Sequence, residues 1–274
     1  MTVITSPTTY FKAERIAAVT ADEAYQLLNT ALDRFLALVA ILEPDDWDKP
    51  TLCTEWSVRD ILAHQAGGYT SGTGYVEMIR QGSRIPRRDQ LIEDAINEFQ
   101  LRERADKSPA ELIAELHKVG LIAAQKWAYE FRLAKLISIP HPIAGKLSFR
   151  YLMQVTHSRD TWMHRLDICR ATGRDFEQTR EHDGRIAELV VLDVANLLAK
   201  KSDRPALVFE LTGIAGGIWK IGRGEPAATI RMDMLAFNIF ASGRYTYEEA
   251  RPLITITGDT HAAEEALKDI LVLY

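Results

Sequence analysis

"FRYLMQVTHSRDTWMHRLDICRATG", residues 149–173, reads as one long helix. Ser148 stands before it as an N-cap and Gly173 closes it, and no proline interrupts the run. Within it Asp160 and His164 are spaced i and i+4, so they share one face about a turn apart. His157 lies three residues before Asp160 and one heptad before His164, on or near the same face. The rest of the stretch mixes apolar and basic residues. An acid and an imidazole stacked on one helix face are either half of a metal site or two side chains on a solvated surface.

Working outward, the first two-thirds of the chain keep the helical period. "TADEAYQLLNTALDRFLALVAIL" has apolar residues at helical spacing with acids near its start, and Pro44 follows it. "EWSVRDILAHQAGGY" begins a second helix, with Ser57 and Asp60 in a capping-box spacing. "SPAELIAELHKVGLIAAQKWAYEF" begins a third in the same manner: Ser108 caps, Pro109 occupies the first turn and Glu111 the third position. A shorter helix is expected around residues 87–105. "ISIPHPIAGKLS" breaks the pattern with two prolines and a glycine before the fourth helix.

The last third changes character. "DGRIAELVVLDVANLLAKK" reads as a helix. "PALVFELTG", "GIWKIGRG" and "AATIRMD" then read as short strands bounded by glycine or proline. "MLAFNIFASGR" is a helix ending at Gly243, "PLITITGD" another strand, and "HAAEEALKDILVL" a final helix. The polar stretch "GRDFEQTREHDGR" places the boundary near residue 180. The expected fold is mainly α, α+β overall: an antiparallel four-helix bundle over residues 1–180, then a small α+β domain over 181–274.

The 274 residues carry a formal net charge of -5, so no basic field points to nucleic acid. No apolar run approaches the ~20 residues that span a bilayer, and the N-terminus lacks the pattern of a secretory signal. Cys53 and Cys169 form at most one disulfide, which a chain of this size does not need. The expectation is a soluble cytoplasmic protein, monomeric or weakly self-associating, with no nucleic-acid or membrane partner.

His64, two turns into the second helix, is the third candidate ligand beside Asp160 and His164. Side chains from facing helices converge in a bundle core, and metal sites are built that way. Two imidazoles and one carboxylate leave a position open, as catalytic zinc sites do. The same set in octahedral geometry suits non-haem iron. His157 is a further ligand, a supporting partner or an exposed side chain. Asp60 either holds the His64 ring or caps its helix. Gly67, Gly68, Gly72 and Gly74, in "QAGGYTSGTGY", either end the helix and pack closely or make room for a ligand.

These residues resemble a known family. "LCTEWSVRDILAHQAG" is similar to the N-terminal signature of the mycothiol-dependent maleylpyruvate isomerase family. That family has a DinB-like metal-binding four-helix bundle, in which a Trp-Ser/Thr-x-x-Asp-x-x-x-His run supplies the first histidine ligand. Here the run is Trp56, Ser57, Asp60 and His64. The second signature, Glu-x-x-x-His followed by Arg and Asp, is matched by Asp160, His164, Arg165 and Asp167. Asp160 is shorter by one methylene than the usual glutamate. The resemblance extends to a sterol-carrier-like C-terminal domain, matched by Ser242-Gly243-Arg244 and Gly258-Asp259.

The resemblance implies a divalent metal, zinc above all, held by His64, Asp160 and His164. It implies a low-molecular-weight thiol, mycothiol or an analogue, which the metal activates to attack a small electrophile in isomerisation or transfer. It also implies a cationic group from the C-terminal domain, for which Arg244 is the candidate. The basic run Arg80, Arg84, Arg87 and Arg88 is either a solvated loop or a contact for an anionic thiol. Cys53 is an extra ligand or a small packed thiol. The competing expectations are a non-haem iron enzyme on the same ligands, a zinc-responsive regulator, and a small-molecule carrier using the C-terminal domain.

Overall fold

A computed structural model describes residues 9–88, 90–200 and 204–274. The opening residues 1–8, where the absence of a signal was read, lie outside the described part, as does Lys201 at the end of one expected helix. In chain order the elements are β1 (Phe11–Lys12), α1 (Ala21–Val39), α2 (Val58–Ser71), α3 (Tyr75–Gly82), α4 (Ile92–Arg102) and α5 (Pro109–Tyr129). Then come β2 (Ser138–His141), β3 (Gly145–Ser148), α6 (Phe149–Tyr151), α7 (His157–Thr172) and α8 (Asp183–Leu198). The remainder is β4 (Ala206–Thr212), β5 (Gly217–Ile221), β6 (Pro226–Asp233), α9 (Met234–Ala241), α10 (Tyr247–Ala250), β7 (Thr255–Gly258) and α11 (Thr260–Leu267). The fold is mainly α with an α+β C-terminal part, as expected.

The chain forms two compact units. One holds residues 19–140 and 146–176 together with Tyr274; the other holds residues up to 18, 141–145 and 177–273.

In the first unit α1 packs on α5 and α7, and α2 packs on the same two helices, which closes a ring of four. Leu28, Leu32 and Phe35 of α1 meet Ile61 and Leu62 of α2, Leu112 and Leu116 of α5, and Ile168 of α7 in one core. The helices start where the capping residues stand. The Ser57 hydroxyl accepts from the Asp60 N–H while the Asp60 carboxylate accepts from the Ser57 N–H, and Ser108 and Glu111 repeat the arrangement for α5. Each such cap satisfies donors that would otherwise be orphaned, at about 1 kcal/mol.

Three features depart from the expectation. The fourth helix is not uniformly α-helical: Leu152–Thr156 form a π-helical turn between α6 and α7. A π turn inserts one residue into the ladder and re-aims everything after it. The broken stretch before that helix forms a two-stranded pairing, β2 with β3. The glycine-rich segment does not end α2 at once. The helix runs through Gly67 and Gly68 to Ser71, and α3 follows, a helix the sequence reading did not foresee. A Cβ on Gly67 would stand 2.7 Å from Gln100 Cβ, and one on Gly72 would stand 2.6 Å from the Trp127 ring. Those two glycines are close-packing positions. Gly68 and Gly74 have nothing within 4 Å of that point.

The second unit is a five-stranded sheet ordered β1-β5-β4-β6-β7. β4 lies at its centre, parallel to β6 and antiparallel to β5, and its near-continuous apolar run "ALVF" is buried throughout. β1 pairs in parallel with β5, Phe11 opposite Trp219, although some 200 residues separate them in sequence. Within this unit α9 packs on β4 and β6, and α8 packs on α9. Among the described residues no helix is long and apolar enough to cross a membrane.

Candidate metal centre

α2 and α7 bring His64, Asp160 and His164 together: one ligand atom from each lies within 4.8 Å of the others. His64 Nε2 is 3.4 Å from Asp160 Oδ2, and His164 Nε2 is 3.4 Å from Asp160 Oδ1. Both imidazoles are buried, and the Asp160 side chain is partly exposed. The i, i+4 spacing read from the sequence is what sets Asp160 beside His164. The packing of α2 on α7 supplies His64.

The other nitrogen of each ring is bonded away from the centre. His64 Nδ1 meets Gln100 Oε1 at 2.9 Å, Gln100 Nε2 donates to Gln81 Oε1 at 2.8 Å, and Gln81 Nε2 donates to the Gly67 carbonyl at 3.1 Å. A carbonyl only accepts, so this last bond orients both amides in turn. Gln100 must therefore present its oxygen to His64, and His64 Nδ1 must carry the proton. His164 Nδ1 bonds Asp167 Oδ2 at 3.0 Å, and that carboxylate is fully buried. A carboxylate that accepts from a ring N–H fixes the tautomer and raises the basicity of the other nitrogen. Both Nε2 lone pairs are thus directed at Asp160.

With neutral rings, three acceptors converge on one point and repel. A cation relieves that conflict, and the separations fit one. Two ligands about 2.0–2.1 Å from a tetrahedral centre stand about 3.3 Å apart, close to the 3.4 Å found on both sides of Asp160. Without a metal the conflict is relieved by protons. Burial opposes charge on His164, but the Asp160 carboxylate outweighs it and Asp167 adds to it, holding the ring up to about 9. Burial likewise opposes charge on Asp160, yet His164 and then His64 hold its carboxyl well below the usual range.

Trp56 walls the site. Its ring centroid is 4.8 Å from that of His64 and 5.6 Å from that of His164, and the two imidazoles meet edge to face at 5.1 Å. A second polar chain reaches Asp160 from below. Gln65 Nε2 donates to Asp160 Oδ2 at 2.6 Å, the Thr161 hydroxyl donates to Gln65 Oε1 at 2.8 Å, and the Tyr69 hydroxyl lies 3.1 Å from Thr161 Oγ1. Burial pushes the Tyr69 phenol far above its ordinary value, so it stays a neutral donor.

The remaining candidates fall elsewhere. His157 stacks on Trp127 at 3.9 Å and 17°, and burial drives its ring down to about 4. It is a neutral packed ring, outside the cluster of three. Asp60 serves the helix cap; the partner of His64 is Gln100, which the sequence reading missed. Cys53 and Cys169 are not joined in a disulfide, and burial pushes the Cys169 thiol up to about 11. Neither belongs to the cluster. The basic run is largely neutralised: Arg80 pairs with Glu77 and Glu103, and Arg87 pairs with Glu98. Arg80, Arg84 and Arg102 all lie over the Phe99 ring. Arg244 is in the other unit, half-buried just after Gly243, where the chain turns out of α9 through a left-handed residue at φ +77°.

Comparison with known proteins places these residues in context. The profile of the mycothiol maleylpyruvate isomerase N-terminal domain family matches residues 28–169, more than half of the chain and a span that includes all three clustered residues. Two solved structures are similar in fold: a mycothiol-dependent maleylpyruvate isomerase (TM-score 0.57) and a histidine-to-alanine mutant of a mycothiol-dependent maleylpyruvate isomerase (TM-score 0.56). Each is 12% identical to this chain, and each alignment covers 87% of this chain and 93% of the other. No curated protein matches the sequence significantly.

Proposed function

The chain belongs to the family of the mycothiol maleylpyruvate isomerase N-terminal domain, and we propose that it is a metal-dependent enzyme acting on a low-molecular-weight thiol and a small electrophile. The observation that carries this reading is the convergence of His64 Nε2, His164 Nε2 and the Asp160 carboxylate, with both Nδ1 atoms bonded outward. His64, Asp160 and His164 would hold the metal. A two-imidazole, one-carboxylate set with an open position suits zinc.

A bound divalent cation supplies Lewis acidity that keeps a thiol in its thiolate form at neutral pH. The residues around it do the rest. Gln100 and Asp167 accept from the Nδ1 side of each ring, which fixes the ring orientation and leaves Nε2 as the nitrogen that faces the metal. Trp56 limits access of water to the two imidazoles. Mycothiol is the thiol that the family suggests. Such a thiol, once bound, would supply reversible addition to an electrophilic carbon, the chemistry that an isomerisation or a thiol transfer needs. Arg244 is proposed as the cation that receives a substrate carboxylate. Such chemistry belongs in a reducing, cytoplasmic setting.

The test is a thiol-dependent turnover assay. Zinc-loaded protein is incubated with mycothiol and a panel of small electrophiles that includes maleylpyruvate. Isomer or thioether product should form, and His64→Ala should abolish it. Fully metal-loaded protein that turns over nothing in the panel would contradict the enzymatic reading and leave metal binding alone. Iron recovered at these ligands in place of zinc would contradict the thiol chemistry.

A further inference from the structure

The carboxylate at the centre has a partner that the ligand set does not include. Gln65 directly follows His64 on α2, is buried at 2% exposure, and is turned toward α7. Its amide is bonded at both ends. Nε2 donates to Asp160 Oδ2 at 2.6 Å, and Oε1 accepts from the Thr161 hydroxyl at 2.8 Å. The carboxylate fixes the orientation, because the flipped amide would set oxygen against oxygen. Thr161 is itself engaged. Its Oγ1 is 3.0 Å from the His157 carbonyl and 3.1 Å from the Tyr69 hydroxyl, and Tyr69 is 2% exposed. Thr161 has one proton and two acceptors in reach, so the Tyr69 hydroxyl is the donor to Thr161.

We infer that Gln65 is a positioning residue for Asp160, and that Thr161 and Tyr69 hold Gln65 in place through one buried relay. The inference rests on the metal-binding reading above.

Asp160 has a short side chain, and turning about its last bond moves each oxygen relative to both imidazoles. The two helices alone do not stop that rotation. The 2.6 Å bond to Oδ2 does, since it is short and charge-assisted and its donor is itself buried. Its donor cannot swing away, because Thr161 holds the other end of the amide. The relay also links the two helices that carry the ligands: Gln65 and Tyr69 belong to α2, Thr161 and Asp160 to α7. Supporting partners of this kind typically shift metal affinity by about 10–100-fold.

Cobalt(II) titration tests this, because its visible spectrum reports ligand number and geometry independently of any activity. Wild type should bind cobalt(II) with an intense visible band. Gln65→Leu, nearly equal in volume, should weaken binding by about 10–100-fold and change the band's position and intensity. Tyr69→Phe, which keeps the ring, should move both in the same direction by less. The double variant should be no worse than Gln65→Leu alone, since the relay is already cut. Thermal melts of the metal-free proteins establish that each variant is folded. Should Gln65→Leu fail to fold, Gln65→Met and Tyr69→Phe read the same relay.

Unchanged affinity and an unchanged spectrum in folded Gln65 variants would overturn the inference. So would strictly additive effects of the two substitutions. A wild-type protein that takes up no cobalt(II) would instead remove the metal reading, and the inference with it.

Discussion

His64 Nε2 stands 3.4 Å from Asp160 Oδ2, while the opposite nitrogen of the same ring is bonded to Gln100 at 2.9 Å. The first separation is long for a charge-assisted hydrogen bond, which runs about 2.7–2.9 Å. It suits two ligands of one cation. The second bond decides which nitrogen is free to ligate, and it depends on a glycine.

Gly67 serves His64 twice. Its missing side chain lets Gln100 approach, and its carbonyl anchors the amide chain that orients Gln100. Gly67→Ala should push α4 outward, because the new methyl meets Gln100 Cβ and Cγ, which are not free to swing away. The expected cost is about 1–3 kcal/mol of stability from overpacking, with metal affinity reduced by roughly 10-fold. Denaturant unfolding and metal titration check the two parts. Gly68→Ala, where nothing crowds the added atom, should show neither loss.

The metal-free protein should lose stability as pH rises. His164 is held up to about 9 in the fold, above its ordinary value of 6.5. Its protonated form therefore stabilises fully below pH 6.5, and that contribution is gone once pH passes 9. Metal binding needs the neutral ring, so the loaded protein should lack this decline, and metal uptake near neutral pH should release a proton from His164. Melting temperatures of the metal-free and loaded forms between pH 6.5 and 9 test the first statement. Calorimetry of metal binding in buffers of different ionisation enthalpy tests the second.

Acid should act through a different ring. His157 is neutral in the fold, held down to about 4 by burial against Trp127. The unfolded chain takes up a proton there below pH 6.5 and the folded one only near 4, so stability falls as pH drops across that window. His157→Phe keeps a ring on Trp127 and should flatten this part of the acid melt in the metal-free protein. An identical slope in the variant would assign the acid sensitivity elsewhere.

Trp56 touches both ligating rings, so its emission should report the centre. Cobalt(II) should quench part of the protein's tryptophan fluorescence with the same midpoint as its visible band. Trp56→Phe should lose most of that quenching while still binding the metal. Quenching that survives intact in the variant would show that another indole is the reporter.

Local signals made much of this legible in the sequence. Ser57-Asp60 and Ser108-Glu111 mark helix starts because a cap is a contact between residues three apart. Asp160 and His164 share a face because both lie on one regular turn. His64 stood out by its place two turns into a helix that faces the Asp160–His164 helix, and the family resemblance pointed to it as well. What stayed hidden depends on contacts distant in sequence. Gln100 lies 36 positions from His64, and no spacing rule connects α4 to α2. The π turn at Leu152–Thr156 follows no signal in "LMQVT", which suits an ordinary helix equally well. α3 was obscured by the glycines before it, which the sequence leaves open as a helix end, close packing or room for a ligand; Gly67 and Gly72 answer to packing. β1 has only two residues, too few to show a strand period, and its place is set by β5.

The central claim is that His64, Asp160 and His164 hold a metal. Its most direct test is elemental analysis of protein purified without chelator or nickel resin, beside His64→Ala and His164→Ala. The account predicts near-stoichiometric zinc in the wild type and loss of most of it in either variant. A wild type that holds no metal even after reconstitution, or histidine variants that keep all of it, would contradict the account.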